Sequence, residues 1–299
     1  MQKLLIDTDP GQDIDDLLAI HFALLRPELE VKAITTATRP SGMRARLVKR
    51  LLRMMNRKDI PVAAGLELPM RPLASQELAF LNDHSKSMNH YAFALLEDPQ
   101  DSPDNFDAPG LIIKTIEENP GEIVLACIAP LGNVAAALIR KPSIASKIKA
   151  IALMGGELAL NRIEHNMEFD PVAADIVLSS GIQIAMGTWS VTRQFFLDPN
   201  DCKRLEGGNE VCKALAEAVK LWHPAQSWKP GPVMYDIFPM VWAFDQSLYK
   251  LDQLSVKVET AGSLTRGMTV QAGDLKDIYV TSGIDANALK SLYFSTILA

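Results

Sequence analysis

The sequence has few cysteines and no long apolar segment, and each shortage excludes a class of protein. The three cysteines, Cys127, Cys202 and Cys212, are an odd number without a CxxC pair. This argues against a disulfide framework and against a structural zinc site. No uninterrupted apolar run approaches the roughly 20 residues that span a bilayer. We therefore expect a protein that does not cross a membrane.

Positive charge is also scarce. The chain has 30 Lys and Arg against 36 Asp and Glu, a net charge of −6, whereas binding to phosphate backbones requires a concentrated basic surface. We therefore expect no nucleic-acid partner, and we interpret the basic stretch Arg39 to Arg57 as the exposed face of an amphipathic helix. The N-terminus passes from MQK straight into the apolar run LLID and lacks the parts of a secretory signal. This predicts a cytoplasmic protein.

Short apolar runs alternate with helical patterns along the chain. The apolar runs are 4–7, 31–36, 123–129, 148–156 and 182–188, and the helical patterns are 44–55, 109–119, 133–142 and 172–181. Such alternation is typical of βαβ units, and near-continuous apolar strands are typical of a sheet buried on both faces. The sequence predicts an α/β fold with a single open, mainly parallel, doubly wound sheet, helices on both faces and a Rossmann-like core. No linker divides the 299 residues, so we expect one domain over residues 1–299.

Two polar, irregular segments interrupt this pattern. The first, from Leu73 to Ala108, is long for a loop, and such loops commonly carry function or form a lid. Its histidines His84 and His90 could reach a ligand. The second segment, from Trp222 to Tyr235, combines aromatic residues with three prolines.

Five carboxylates stand between the first apolar run and the helix that follows it. They are Asp7, Asp9, Asp13, Asp15 and Asp16. The carboxyl end of a strand in an open α/β sheet is where ligands bind, and a divalent cation with oxygen ligands would offset the repulsion between these groups. Pro10 and Gly11 would turn the chain so that several carboxylates face one point. The alternative, a solvated loop with helix-capping aspartates, explains one aspartate but not five.

Polar motifs also follow the later apolar runs, and their order is informative. They are PLGN at 130–133, MGG at 154–156, EHN at 164–166 with Asp170-Pro171, and Asp236 before an apolar helix. Together with DTDPG and DDLLAI near the N-terminus, these motifs resemble the inosine/uridine-preferring nucleoside hydrolase family over essentially the whole chain. The resemblance implies an N-glycosidase that hydrolyses a small ribonucleoside to ribose and free base. We expect a homodimer or homotetramer.

The resemblance also implies roles for individual residues. It implies a Ca²⁺ ion bound by Asp9, Asp16, the backbone carbonyl of Ile128 and Asp236. Asp9 would be the catalytic residue, accepting a proton from a Ca²⁺-bound water. The sugar would be bound by Asp15, Asn161, Glu164 and Asn166, with Met154 packed against the ribose.

Three positions depart from the family pattern. Two extra residues precede the Asp15-Asp16 pair and add Asp13, which could join the metal, replace a sugar contact or merely lengthen the turn. We favour the first two roles together, because an unpaired buried carboxylate is costly. Where members of the family often carry an asparagine, this chain has the segment Thr38-Arg39-Pro40.

The third departure is Tyr235, where many members of the family place a histidine that protonates the leaving base. Tyrosine is a poorer acid at neutral pH, but its ring can stack on a base. Stacking by Tyr235 and Trp228 would favour purine ribosides. His84 or His90 could otherwise contribute to the site.

Other functions remain open from the sequence. The Asp7-Thr8-Asp9 strand end also resembles that of haloacid-dehalogenase-type phosphohydrolases, although Pro10-Gly11 and the absence of their later motifs argue against this class. A riboside-binding protein with little catalysis on the nucleoside hydrolase scaffold is a second alternative. Hydrolysis of some other N-riboside is a third.

Overall fold

The structure is a computed structural model that describes residues 1–84, 101–223, 231–274 and 277–299. Its strands are β1 Gln2–Thr8, β2 Leu29–Thr36, β3 Val62–Ala64, β4 Ile123–Cys127, β5 Ala150–Met154, β6 Ile184–Gly187, β7 Tyr249–Leu254, β8 Val256–Val258, β9 Thr269–Gln271 and β10 Ile278–Ile284. Its helices are α1 Asp15–Leu25, α2 Ser41–Met54, α3 Ser75–His84, α4 Ala108–Glu118, α5 Gly132–Arg140, α6 His165–Phe169, α7 Pro171–Leu178, α8 Trp189–Thr192, α9 Pro199–Glu206, α10 Glu210–Trp222, α11 Ile237–Trp242 and α12 Ala286–Ile297.

Eight of these strands form one open sheet in the order β3-β2-β1-β4-β5-β6-β10-β7. Every neighbouring pair is parallel except β10 and β7, which are antiparallel at the edge. A separate antiparallel pair joins β8 to β9. The predicted open, mainly parallel α/β sheet is therefore confirmed.

Apolar residues alternate between two cores, one on each face of the sheet. In β1, Leu4 and Ile6 lie in one apolar cluster with residues of α1, α2, α10, α11 and α12, whereas Leu5 lies in the other with residues of α4, α5 and α7. Every residue of β4 and β5 is buried. This explains why these strands are continuous apolar runs rather than alternating ones.

Local signals account for several helix boundaries. Asp107, Asp170 and Asp198 are N-cap residues whose carboxylates accept backbone N–H groups, and a proline follows in the first turn of each helix. Such caps replace the missing hydrogen bonds of a helix start.

The structure refines the prediction for two segments. Part of the predicted irregular segment 73–108 is helical, as α3, while residues 85–100 lie outside the described part of the chain. The sequence predicts a single sheet, whereas the chain after Leu254 leaves that sheet and forms β8, which pairs with β9. In the described ranges, no helix combines the length and the apolar character needed to cross a membrane.

The strand order reverses direction between β1 and β4. The chain adds β2 and β3 on one side of β1 and then returns to place β4 on its other side. A ligand in an open α/β sheet binds outside the carboxyl ends of the strands at such a point. Asp9 follows β1, and Ile128 follows β4, so both lie at this position.

We propose that the chain is a single domain, because both cores share one sheet. Leu5→Ala and Ile6→Ala remove fully buried side chains from opposite faces of β1, and each should destabilise the fold by about 2–5 kcal/mol. We expect calorimetry to show one unfolding transition that both variants shift to lower temperature. The exposed Leu264 provides the control, and Leu264→Ala should leave the transition in place. Two transitions that respond separately to the two core variants would contradict a single domain.

Candidate active site

A cavity of about 460 Å³ lies at the carboxyl ends of the parallel strands. Its lining is acidic on one side and carries arginine and aromatic side chains elsewhere. The lining residues are Asp9, Gln12, Asp13, Asp15, Asp16, Ile128, Met154, Arg162, Glu164, His165, Asn166, Trp189, Arg193, Tyr235 and Asp236. Most of the predicted site residues are therefore brought together on one cavity.

Three buried carboxylates form the tightest group in this cavity. One oxygen from each of Asp15, Asp16 and Asp236 lies within 4.8 Å of the others. Asp15 and Asp16 occupy the first turn of α1, and Asp236 immediately precedes α11. The backbone N–H of Asp236 donates to Oδ2 of Asp15 at 3.3 Å. An oxygen cluster of this size suits a hard divalent cation.

Asp9 and Asp16 are linked through the end of β1. The Thr8 hydroxyl donates to Oδ1 of Asp16 at 2.5 Å, and the backbone N–H of Asp9 donates to the same oxygen at 3.0 Å. The Thr38 hydroxyl donates to Oδ2 of Asp9 at 3.1 Å. These contacts orient both carboxylates toward the cavity before any ligand binds.

Burial and mutual repulsion disfavour the ionised forms of these carboxyl groups. Burial raises the pKa of Asp9 to about 7, against the opposing effect of the Arg44 charge. Burial, with the neighbouring Asp9 charge, raises the pKa of Asp16 to about 8. The pKa of Asp236 is also raised, first by burial and then by the Asp15 charge. A bound cation would offset this penalty.

The turn between β1 and α1 brings the carboxylates to one side. Gly11 has φ of 128°, a conformation that residues with a Cβ rarely adopt. The turn carries Asp13, which is half-buried on the cavity and accepts the Ile14 N–H at 3.0 Å. Pro10 and Gly11 were predicted to turn the chain, and the positive φ of Gly11 accounts for that turn.

The buried side chain of Arg44, on α2, stabilises this turn. Its guanidinium donates to the carbonyl oxygens of Asp9, Pro10, Thr38 and Arg39. The side chain is only 2% exposed, so the interpretation of the whole basic stretch as an exposed face is wrong at this position. Arg44 lies on the buried side of α2, where backbone carbonyls converge and a charged donor satisfies them.

Glu164 is held by backbone N–H groups on the other side of the cavity. As N-cap of α6, its carboxylate accepts from the N–H groups of Asn166, Met167 and Gly156. Burial raises the pKa of Glu164, and these hydrogen bonds oppose the shift. Gly156, with φ of 76°, allows the turn that aims its N–H at the carboxylate.

A hydrogen bond links the side chain of Asn166 to the backbone of Met154. Nδ2 of Asn166 donates to the carbonyl oxygen of Met154 at 3.0 Å. Met154 ends β5, and both residues line the cavity. Their position agrees with the predicted contact to a sugar, a role that stays a prediction.

Asp7 does not line the cavity, although it belongs to the acidic motif. Its Oδ1 accepts from the Thr35 hydroxyl at 2.6 Å and from Nδ2 of Asn133 at 2.8 Å. Burial raises the pKa of Asp7 to about 7. Asn133 also donates to the Thr36 carbonyl and accepts from the Leu66 N–H. The asparagine of the PLGN motif therefore ties strand ends together beside the cavity.

The remaining predicted site residues are distributed differently. Tyr235 is half-buried on the cavity, whereas Asn161 is exposed and is absent from the cavity lining. Trp228 and His90 lie outside the described residues. His84 ends α3, but its side chain is outside the described part.

Five residues of the cavity wall were not among the predicted site residues: Gln12, Arg162, His165, Trp189 and Arg193. Trp189 and Arg193 come shortly after β6, so the rule that singled out polar residues at other strand ends could have found them. Arg162 is two residues before Glu164 in the same loop. No residue pattern identified Arg44, because its partners are backbone carbonyls.

Comparison with known proteins gives consistent matches. The family model described as inosine-uridine preferring nucleoside hydrolase matches residues 4–291. A pyrimidine-specific ribonucleoside hydrolase RihA from Escherichia coli O9:H4 (strain HS) is 34% identical over 296 residues, which cover 95% of this chain and 91% of that protein.

Two solved structures are similar over their whole length. A plant nucleoside hydrolase, the PpNRh1 enzyme, has a TM-score of 0.82 at 27% identity, covering 100% of this chain and 99% of that one. A purine-preferring ribonucleoside hydrolase from Gardnerella vaginalis has a TM-score of 0.86 at 25% identity, covering 99% and 98%. The predicted family resemblance and the predicted N-glycosidase class are confirmed, and the phosphohydrolase alternative is rejected.

The first prediction from this site concerns Arg44. Arg44→Met should reduce the free energy of unfolding by at least about 3 kcal/mol, because it leaves several buried carbonyl oxygens without a charged donor. Arg46→Met, on the same helix but half-buried, is the matched control and should change stability little. Urea unfolding in the presence of a chelator measures both. Equal losses in the two variants would show that Arg44 has no special role.

The second prediction concerns pH and metal. Since the folded-state pKa values of Asp9 and Asp16 are raised to about 7 and 8, the metal-free folded protein binds more protons than the unfolded chain above about pH 4. Its stability should therefore fall as pH rises from about 4 to 8. Cation binding requires ionised carboxylates, so added Ca²⁺ should raise the melting temperature more at pH 8 than at pH 5.

Calorimetry with chelator and with Ca²⁺ at both pH values checks this. Asp16→Asn should remove most of the Ca²⁺-dependent shift, whereas Asp252→Asn, at an exposed position of β7, should retain it. A Ca²⁺ effect of the same size at both pH values would contradict the linkage.

Proposed function

Because the chain belongs to the inosine-uridine preferring nucleoside hydrolase family, we propose that it hydrolyses the N-glycosidic bond of a ribonucleoside and requires Ca²⁺. The products are ribose and the free base. One observation carries this proposal most directly. The buried oxygen cluster of Asp15, Asp16 and Asp236 opens into the same cavity as Glu164 and Asn166.

The donor set supports Ca²⁺ rather than a softer metal. The residues around the cluster offer carboxylate and backbone oxygens, which Ca²⁺ prefers, whereas no cysteine lines the cavity within the described residues. Asp9, Asp16, Asp236 and the backbone carbonyl of Ile128 would hold the ion, with Asp13 as a further candidate. When bound, the ion supplies Lewis acidity, which makes a nearby water a better nucleophile at neutral pH.

The reaction consists of a proton transfer to Asp9 and a displacement at C1′ of the ribose. Asp9, whose carboxylate lines the cavity, accepts a proton from the attacking water, because a bound cation favours its ionised, basic form. The water oxygen forms a bond to C1′ of the ribose as the bond from C1′ to the base nitrogen breaks. The base leaves with the bonding electron pair and takes up a proton.

The sugar is held by the remaining acidic groups. Asp15, itself part of the oxygen cluster, binds ribose hydroxyls, and Asn166 with Met154 contacts the sugar from the β5 side. Positive charge develops on the sugar as the base leaves. The carboxylate of Glu164, fixed by three backbone N–H groups, stabilises this charge without reorganising.

Tyr235 stands where the leaving base would lie. Burial raises the pKa of the Tyr235 hydroxyl, with the Asp15 charge acting in the same direction. The phenol therefore stays protonated at neutral pH and is a weak acid catalyst, although it can bind a base through its ring. Purine preference through Tyr235 and Trp228 stays a prediction, and the compared relatives include both pyrimidine-specific and purine-preferring enzymes. Oligomeric state and cytoplasmic location also stay predictions.

The proposal is tested with inosine, adenosine, guanosine, uridine and cytidine, with and without Ca²⁺. Release of free base that stops with a chelator and returns with Ca²⁺ is the expected result. If a riboside binds to the Ca²⁺-loaded protein without turnover, the chain is a binding protein on this scaffold. Tyr235→Phe tests the contribution of the hydroxyl to base preference.

Asp9→Asn should lower kcat by at least about a hundredfold with the best substrate, because it removes the general base. The change keeps the shape of the side chain, so the far-ultraviolet circular dichroism spectrum should be unchanged. Asp252→Asn is the matched control and should retain full turnover. Near-normal turnover of Asp9→Asn at saturating Ca²⁺ would assign the base to another residue.

A further inference from the structure

Two arginines and a tryptophan form a group on the wall of the active-site cavity, which we call the Arg162–Trp189–Arg193 group. The guanidinium carbon of Arg162 lies 4.1 Å from the centroid of the Trp189 ring, and that of Arg193 lies 4.2 Å from it. All three residues line the cavity. The arginines are exposed and the tryptophan is half-buried.

Stacking fixes the arginines without using their hydrogen-bond donors. A guanidinium stacked on an aromatic ring contacts it through its face, so the N–H groups at its edge remain available. Within the part of the chain that the structure describes, neither arginine forms an ion pair or a side-chain hydrogen bond. Two like charges held close to one ring, with free donor edges, are arranged to receive an anion.

The tryptophan connects this group to the place of the leaving base. Trp189 and Tyr235 line the same cavity, and both Trp189 and the Arg193 charge act to lower the pKa of the Tyr235 hydroxyl. Arg162 is in the loop that leads to Glu164, on the sugar side. The group therefore reaches toward both ends of a bound riboside.

Charge is unevenly distributed over the cavity. The carboxylates of Asp9, Asp15, Asp16 and Asp236 form one side, and the Arg162–Trp189–Arg193 group contributes positive charge elsewhere. A neutral nucleoside has hydroxyls for the acidic side but no charge for the arginines. A carboxylate or phosphate on the substrate would match the planar donor edges of guanidinium groups.

We propose that the preferred substrate is an acidic ribonucleoside, whose phosphate or carboxylate binds Arg162 and Arg193. This inference rests on the proposed hydrolysis and names its substrate class. The anionic group is either a phosphate on the 5′-oxygen of the ribose or a carboxylate on the base. Arg162 and Arg193 are then specificity-determining residues.

The test compares three ribosides that share one pyrimidine ring. Uridine is neutral, uridine 5′-monophosphate carries the phosphate on the sugar, and orotidine carries a carboxylate on the base. The variants are Arg162→Gln, Arg193→Gln and the double variant. Arg204→Gln is the matched control, because the exposed Arg204 also stacks on an aromatic ring, Phe294, but does not line the cavity.

We expect the wild-type enzyme to have a kcat/KM at least about tenfold higher for one acidic riboside than for uridine, the ratio that about 1.4 kcal/mol of added binding supplies. In the double variant the ratio of kcat/KM for the acidic riboside to kcat/KM for uridine should fall to within about threefold of one, whatever the absolute activity, because about 1.4 kcal/mol corresponds to tenfold. Arg204→Gln should behave as wild type. Preference for the monophosphate assigns the anion to the sugar, and preference for orotidine assigns it to the base.

Two results would overturn the proposal. One is a wild-type enzyme that cleaves uridine at least as well as both acidic ribosides. The other is a set of variants that lose activity equally on all three, which would mean that the arginines only offset the carboxylates of the cavity.

Failure of hydrolysis is distinguishable from failure of this inference. If none of the three ribosides is cleaved, the proposed function fails, and titration calorimetry of the same three ligands on the Ca²⁺-loaded protein decides the second question. Tighter binding of an acidic riboside that is lost in the double variant supports the proposal. Equal affinities for all three ligands overturn it.

Discussion

Repulsion between buried carboxylates at the carboxyl ends of the central strands constrains the rest of this structure. Oxygens of Asp15, Asp16 and Asp236 lie within 4.8 Å of one another, and at about 4 Å two unit charges repel by about 4 kcal/mol at an effective dielectric constant near 20. Protons or a cation must offset this repulsion. The left-handed Gly11, the Thr8 hydroxyl and the buried Arg44 hold the carboxylates in place against it. The parallel sheet supplies the rigid frame, because β1 and β4 deliver Asp9 and Ile128 to the same crevice.

The cavity combines two kinds of recognition. Its acidic side suits a cation and the hydroxyls of a sugar, and backbone N–H groups fix the carboxylate of Glu164 on the same cavity. The Arg162–Trp189–Arg193 group supplies charge of the opposite sign. A family fold can retain its reaction while side chains at the cavity wall change the preferred substrate. Tyr235 lines the same cavity wall as these side chains.

Sequence patterns predicted the fold and most of the acidic side because both depend on local signals. Continuous apolar runs predicted β1, β4 and β5. The order of the polar motifs, which resembles that of the family, assigned Asp9, Asp16, Glu164 and Asp236 to one site. The sequence did not predict the burial of Arg44, because its partners are backbone carbonyls that only the folded chain brings together. The motif also predicts Asp7 as one of five carboxylates near a cation, but its carboxylate accepts hydrogen bonds from Thr35 and Asn133 instead. Arg162 and Arg193 come from separate segments of the chain and both stack on the Trp189 ring. No short sequence motif contains such a long-range contact.

The central claim is that the buried carboxylates form one cation site that orients a sugar. A crystal structure of the protein grown with Ca²⁺ and ribose tests it most directly. Our account predicts one ion with oxygens of Asp16 and Asp236 at the usual Ca²⁺ distances of about 2.3–2.6 Å, and ribose hydroxyls beside Asp15. A Ca²⁺ ion bound elsewhere, or ribose bound in this cavity while its carboxylates contact no ion, would contradict the account.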